Sequence, residues 1–186
     1  MRVHEMYLRP TDLSEALGAL AGGAMTVLAG GTDFYPARVG RAVSEPVLDI
    51  SALAALRGVR EEGSHIRIGA LTTWSELIAH ALPAYCDGLK LAAREVGGEQ
   101  IQNAGTVAGN LCNASPAADG IPPLLALDAQ VELASVKGSR RVALADFVMG
   151  NRRTACGPSE LVTAVLVPKW GSTARATFLK LGSRRY

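Results

Sequence analysis

The sequence predicts an α+β protein in two parts: a small α/β unit with parallel strands over residues 1–55 and a larger unit with an antiparallel sheet over residues 56–178. Three observations carry that prediction. Apolar runs alternate with a helix-period segment over the first fifty residues, the pattern of strand–helix–strand units with parallel strands. Near Ser51–Leu56 the texture changes to polar–apolar alternation around a short polar turn, the mark of a hairpin. Twenty glycines in 186 residues exceed the average share of roughly 7%, and they fall in clusters that mark tight loops between ordered segments.

Each element has a local reason. Glu5 to Arg9 reads as a first strand. Thr11 is the expected N-cap of a helix from Asp12 to Ala21, with Leu13, Ala16, Leu17 and Leu20 on one face, and Gly22-Gly23 ends it. Met25–Ala29 forms a second strand, followed by a glycine loop, a short helix near Phe34–Gly40 and a third strand at Pro46–Asp49. Leu56–Arg60 and His65–Ile68 flank the turn Glu61-Glu62-Gly63-Ser64. Helices follow at Thr73–Ala81, Gly88–Val96 and Gly120–Leu127. Strands are expected at Ala129–Val136, Arg140–Leu144, Glu160–Val167 and Ala174–Leu181.

Composition narrows the function. A hydrophobic share of 48%, a charged share of 19% and a net charge of +2 describe an ordinary soluble domain with no sign of a nucleic-acid partner. The N-terminus has no apolar signal core, and no run approaches the roughly eighteen apolar residues of a membrane span, so a cytoplasmic protein is expected. Cys86, Cys112 and Cys156 are scattered without a C-x-x-C pair. An iron–sulfur cluster or structural zinc needs about four ligands, so neither is expected on this chain. Sparse cysteines also suit a reducing compartment. His4, His65 and His80 are scattered and none has a plausible Ser, Cys or carboxylate partner nearby in sequence, so no catalytic residue is assigned.

Two glycine-rich loops stand out: Leu28-Ala29-Gly30-Gly31-Thr32-Asp33-Phe34 and Gly105-Thr106-Val107-Ala108-Gly109-Asn110. Glycines without a Cβ let successive N–H groups turn toward one anion and approach it closely. The second loop runs into Ser115-Pro116-Ala117-Ala118-Asp119-Gly120-Ile121-Pro122, which carries one carboxylate. Asp119 either caps the helix that follows or accepts hydrogen bonds from sugar or ribityl hydroxyls. Asp33 has the same two readings. Neither G-x-G-x-x-G nor the P-loop pattern is present, which removes the usual NAD and ATP sites. Two amide-rich loops and one acid describe a clamp for a nucleotide cofactor, in a crevice between the two halves.

These residues resemble the FAD-binding medium subunit of the molybdenum hydroxylases, the family of xanthine dehydrogenase and carbon monoxide dehydrogenase. The likeness rests on Ala29–Asp33 for A-G-G-[TH]-[DS], on Thr106–Asn110 with Ser115–Pro122 for the second motif, and on Phe178, Lys180 and Arg184 for a weaker F-x-K-x-x-x-R tract. The resemblance implies a vanillyl-alcohol-oxidase-like (PCMH-type) FAD-binding fold with FAD between two subdomains. It implies that Val27, Leu28, Ala29, Gly30, Gly31, Thr32, Asp33 and Phe34 wrap the pyrophosphate through main-chain amides. Thr106, Val107, Ala108, Gly109 and Asn110 would form the second wall, Asp119 would bind polar hydroxyls, Val96 and Val162 would make apolar contacts, and Lys180 would lie near the isoalloxazine. Residues 179–186 would begin a further C-terminal domain that this chain lacks.

It further implies an electron-transfer role, with molybdopterin and 2Fe–2S clusters on separate partner subunits and NAD⁺, oxygen or another compound as acceptor. Two other readings stay open on the sequence: a cofactor-free assembly module of such a complex, and a stand-alone flavin oxidase.

Overall fold

The computed structural model describes residues 7–182. Its first part is a three-stranded parallel sheet of β1 (Tyr7–Leu8), β2 (Thr26–Leu28) and β3 (Val47–Asp49), in the order β1-β3-β2. Helix α1 (Leu13–Gly22) returns the chain between β1 and β2 and buries Ala16, Leu17 and Leu20 in one core with Leu48. Its N-cap is Asp12 rather than Thr11: the Asp12 carboxylate accepts from the Ser14 N–H at 2.7 Å and satisfies one of the helix's free amides. Between β2 and β3 the expected helix contracts to a 3₁₀ turn at Pro36–Arg38, and Asp33 caps nothing with its side chain. Pro36 pre-sets the backbone for one turn, and Gly40, at φ 72°, breaks any continuation. Of the expected first strand, Glu5 and Met6 lie outside the described residues.

All three strands run the same way, so the segments after β2 and β3 leave from one edge. The Ile50 N–H donates to the Leu28 carbonyl at 2.9 Å and holds those two exits together. Ligands of parallel sheets gather at this carboxyl edge.

The second part is a five-stranded antiparallel sheet in the order β4-β5-β10-β6-β7. Its strands are β4 (Val59–Glu62), β5 (His65–Gly69), β6 (Gln130–Ser135), β7 (Gly138–Ala143) and β10 (Leu161–Pro168). Strand β10 sits in the middle and is buried from Leu161 to Val167, which explains an apolar run interrupted only by Thr163. Its register slips between Val162 and Ala164, a bulge that re-aims the Val162 end of the strand. On the outer face Arg67 reaches Glu132 at 2.6 Å, and the Thr163 hydroxyl donates to the same carboxylate at 2.7 Å.

Helices cover the inner face: α2 (Trp74–Ala79), α3 (Asp87–Arg94), α4 (Glu99–Ala104), α5 (Val107–Asn113), α6 (Ile121–Ala126) and the single turn α7 (Leu144–Phe147). A small hairpin of β8 (Val148–Gly150) and β9 (Arg153–Thr154) follows α7. Trp74, Leu77, Leu89, Leu111, Leu124 and Phe147 fill the space between helices and sheet. Helix α2 starts with a reciprocal capping box, Thr73 with Glu76.

Two expectations change here. The second glycine loop is mostly helix α5, capped by Thr106, whose hydroxyl accepts from the Gly109 N–H at 3.0 Å. Ala174–Leu181 is extended but pairs with no strand among the described residues. Arg184 and Arg185 lie outside the described residues.

Candidate functional site

A cavity of about 500 Å³ opens between the carboxyl edge of the parallel sheet and the helical side of the antiparallel sheet. Volumes of roughly 300–1,000 Å³ are those of cofactor and small-molecule sites. Val27, Leu28, Ala29, Gly30, Gly31, Thr32, Asp33 and Phe34 form one wall. Thr106, Ala108, Gly109, Asn110 and Asp119 form the facing wall, and Val96 and Val162 also line it. Two of the expected residues do not. Val107 is fully buried, and its N–H donates to the Thr72 carbonyl at 3.0 Å, so neither its side chain nor its amide is free for a ligand. Lys180 stands behind Asp119 rather than in the lining.

The glycines set the geometry of the first wall. A Cβ on Gly30 would lie 1.8 Å from the Ala104 carbonyl oxygen, so only glycine lets the first loop press against the chain entering α5. Gly31 has φ +73°, a left-handed conformation, and a Cβ there would meet the Tyr35 ring at 2.5 Å. With that backbone path, the N–H groups of Gly30, Gly31, Thr32, Asp33 and Phe34 donate to no protein acceptor among the described residues. Five consecutive free amides along a cavity wall form a nest for an anion.

The facing wall uses its amides internally. Asn110 N donates to Thr106 O at 3.1 Å and Gly109 N to the Thr106 hydroxyl, so the helix end is largely self-satisfied. Its ligand-directed group is a side chain. The Asn110 Oδ1 is buried without a hydrogen-bond partner, the one such side-chain atom among the described residues. A Cβ on Gly120 would sit 2.9 Å from that oxygen, so glycine leaves it room. A buried unpaired acceptor is costly unless a ligand supplies the donor.

The charges are unusual. Asp33, Asp119 and Glu160 line the cavity, and no lysine or arginine does so among the described residues. Glu160 is clamped by Arg140 at 2.6 and 2.7 Å and also accepts from the Gly157 N–H at 2.8 Å. The Arg140 guanidinium holds the Glu160 carboxyl below its ordinary value, against burial, which works the other way. Asp119 pairs with Lys180 at 3.0 Å. The residue opening α6 is Gly120, with no side-chain cap, so the helix-cap reading of Asp119 fails.

Sequence reasoning missed several lining residues, among them Trp74, Ile101, Cys112, Cys156 and Glu160. Cys112 follows Gly109 by three positions, so a helical reading of 107–113 would have placed both on one face. Cys112 lines the cavity, and burial pushes its thiol up to about 12. Burial likewise pushes Cys156 up to about 11. Both stay protonated at neutral pH and are poor nucleophiles. No group of three or more metal-ligating side chains occurs among the described residues, and no helix there is long and apolar enough to cross a membrane.

The lining fits a flavin nucleotide. A dianionic pyrophosphate has five free amides to receive it, and a hydroxyl or amino donor has Asn110 Oδ1 and the Asp119 carboxylate. Comparison with known proteins points the same way. A family profile described as the FAD binding domain in molybdopterin dehydrogenase matches residues 2–170. The nicotinate dehydrogenase FAD-subunit of Eubacterium barkeri is 35% identical over 96% of this chain and 63% of its own length. The glyceraldehyde dehydrogenase medium chain of Sulfolobus acidocaldarius is 36% identical over 87% of this chain and 59% of its own. Among solved structures, a carbon monoxide dehydrogenase from Hydrogenophaga pseudoflava that lacks the Mo-pyranopterin moiety superposes with a TM-score of 0.81 at 31% identity, covering 89% of this chain and 59% of that one. This chain thus spans about three-fifths of the length of these relatives. Fold, cavity and sequence agree that the chain belongs to the family of FAD-binding domains of the molybdopterin dehydrogenases.

Proposed function

We propose that this chain holds FAD in the cavity as the flavin-carrying part of a molybdenum-containing hydroxylase or dehydrogenase. The observation that carries the reading is the run of five unpaired amides from Gly30 to Phe34 along the cavity wall. Once bound, FAD supplies the electron-carrying chemistry, and the protein supplies binding, orientation and electrostatics. Residues 1–55 and 56–178 act as two subdomains that face each other across the site.

In this assignment the first glycine loop receives the pyrophosphate through main-chain N–H groups. Among the described residues the lining offers no side-chain cation for that task, so main-chain amides carry it. Asn110 and Asp119 accept from cofactor hydroxyls on the opposite wall. Val96 and Val162 supply apolar contact. No lining side chain is needed as an acid or base, which suits electron transfer better than proton chemistry.

The finer assignment is what the family resemblance implies. Electrons would come from 2Fe–2S clusters on an iron–sulfur subunit, substrate would be hydroxylated on a molybdopterin-binding subunit, and NAD⁺, oxygen or another compound would be the final acceptor. Turnover would therefore require the partner subunits. The test is direct: the purified chain is incubated with FAD, desalted and examined by absorption spectroscopy. Retained flavin at one equivalent supports the reading, and a colourless protein that still captures its partners defeats it in favour of an assembly module.

A further inference from the structure

A second, smaller cavity of about 200 Å³ adjoins the first. Ala29, Gly30 and Thr106 line both, so the two meet along the seam where the first glycine loop presses on the chain entering α5. Their charges are opposite. Among the described residues the large cavity is lined by three carboxylates and no lysine or arginine, whereas the small one is lined by Arg57 and no carboxylate.

The polar side chains of the small cavity share one pattern: their oxygens are already used and their hydrogens are not. The Thr73 hydroxyl accepts from the Glu76 N–H at 3.2 Å, and the Thr106 hydroxyl accepts from the Gly109 N–H at 3.0 Å. The Ser51 hydroxyl accepts from Arg9 Nε at 3.3 Å, and Asn103 Oδ1 accepts from the Ser75 hydroxyl. None of the four side chains donates to a protein acceptor among the described residues. Arg57 spends two of its five N–H groups on long bonds, at 3.4 Å to the Leu71 carbonyl and 3.3 Å to the Ser51 carbonyl. Glu76 stands 3.8 Å from Arg57, outside the lining and beyond hydrogen-bond reach. Its other oxygen is taken by the Thr73 N–H at 2.7 Å.

We propose that this second cavity binds a small oxyanion of the phosphate class, at a site separate from the large cavity. The Arg57 guanidinium supplies the charge, and Asn103 Nδ2 with the Ser51, Thr73 and Thr106 hydroxyls supplies neutral donors. An oxyanion offers only acceptors, which matches a lining whose unspent groups are all donors. A metal cation would meet Arg57 and no carboxylate. The volume lies below the roughly 300–1,000 Å³ of nucleotide and other small-molecule sites, yet it holds one ion with a few waters at about 30 Å³ each.

The test is isothermal titration of the full chain with inorganic phosphate, against chloride at equal ionic strength, with the chain first saturated with FAD. Phosphate should still bind, at one equivalent. Arg57→Gln should weaken it about tenfold by removing a charge-assisted hydrogen bond, and Arg57→Lys should recover part of the loss. Asn103→Asp keeps the size but puts a negative charge at the rim, so it should abolish binding while FAD uptake persists. Phosphate that FAD displaces occupies the amide cradle of the first glycine loop instead, which overturns the second site. Equal binding by wild type, Arg57→Gln and Asn103→Asp overturns it as well, as does heat no larger than that of chloride. Acetate binding as tightly as phosphate would make the cavity a carboxylate receptor and overturn the phosphate class. A wild type that takes up no FAD defeats the cofactor reading, and the same variants titrated without FAD then decide the anion site by themselves.

Discussion

The two glycine-rich segments look alike in sequence and behave differently in the fold. The first, Gly30–Phe34, spends its glycines on a close approach and a left-handed turn and leaves five amides unpaired. The second, Gly105–Asn110, is the start of a capped helix whose amides are mostly satisfied from within. One wall offers main chain and the other offers side chains. Glycine content alone therefore does not identify an anion cradle; the unpaired amides do.

The comparison breaks most sharply at the first wall. Gly30→Val with Gly31→Val should abolish measurable FAD binding, because the loop can neither press on Ala104 nor hold the positive φ at Gly31. Overpacking of this kind should also cost about 3 kcal/mol of stability. Isothermal titration and thermal melting would check both, and full flavin occupancy in the double variant would reduce the glycines to a turn. Asp119→Asn removes a charge-assisted acceptor and should weaken FAD by roughly 1.5–3 kcal/mol. The same titration decides that outcome.

Smaller effects sharpen the contrast at the second wall. Asn110→Ala deletes an acceptor that nothing among the described residues satisfies, so the melting temperature of the cofactor-free chain should hold or rise. FAD affinity should still fall by about 1 kcal/mol. Thr106→Ala should do the reverse. It loses the cap of α5 and about 1 kcal/mol of stability, with little change in FAD affinity measured at low temperature.

The smallest expected effect is a pH dependence at the edge of the parallel sheet. Asp49 is buried, which by itself would raise its pKa. Hydrogen bonds from Tyr7 and Ser51 and the nearby Arg9 outweigh that and hold it below its ordinary value. A carboxyl with a lowered pKa stabilises the fold above its unfolded value of about 3.9 and loses that contribution as pH falls through the folded value. Acid titration of Asp49→Asn should therefore be flatter below pH ~4 than that of the wild type, and parallel curves would show that Asp49 adds nothing.

Long apolar runs and turn chemistry were legible in the sequence. The parallel first unit, the hairpin at residues 59–69 and the buried run of β10 all follow from periodicity and flanking glycines. Helix α4 was not legible, because Glu99-Gln100-Ile101-Gln102-Asn103-Ala104 has a single large apolar residue and shows no periodic stripe. Helix α5 was hidden by Gly109 in its middle, tolerated because a Cβ there would crowd the capping Thr106 hydroxyl at 2.7 Å. Ala174–Leu181 has the alternation of a strand but no neighbour to pair with, and periodicity reports faces rather than partners. At the site, loop residues were legible as motifs. Trp74 and Glu160 were not, because tertiary packing alone brings them to the cavity, and Cys112 was missed with the helix that carries it.

The position of β10 at the centre of its sheet has a kinetic consequence. Strand β10 is the last strand among the described residues, and it joins β5, about a hundred residues earlier in sequence, to β6. Neither neighbour can complete its pairing until β10 arrives, so sheet formation waits for contacts about a hundred residues apart in the chain. Folding should accordingly be slow for a chain of this size, and during synthesis the sheet remains two separate hairpins until Pro168 has emerged. Leu161 and Val162 of the same strand line the cavity, so the cofactor finds a finished wall only after this last closure.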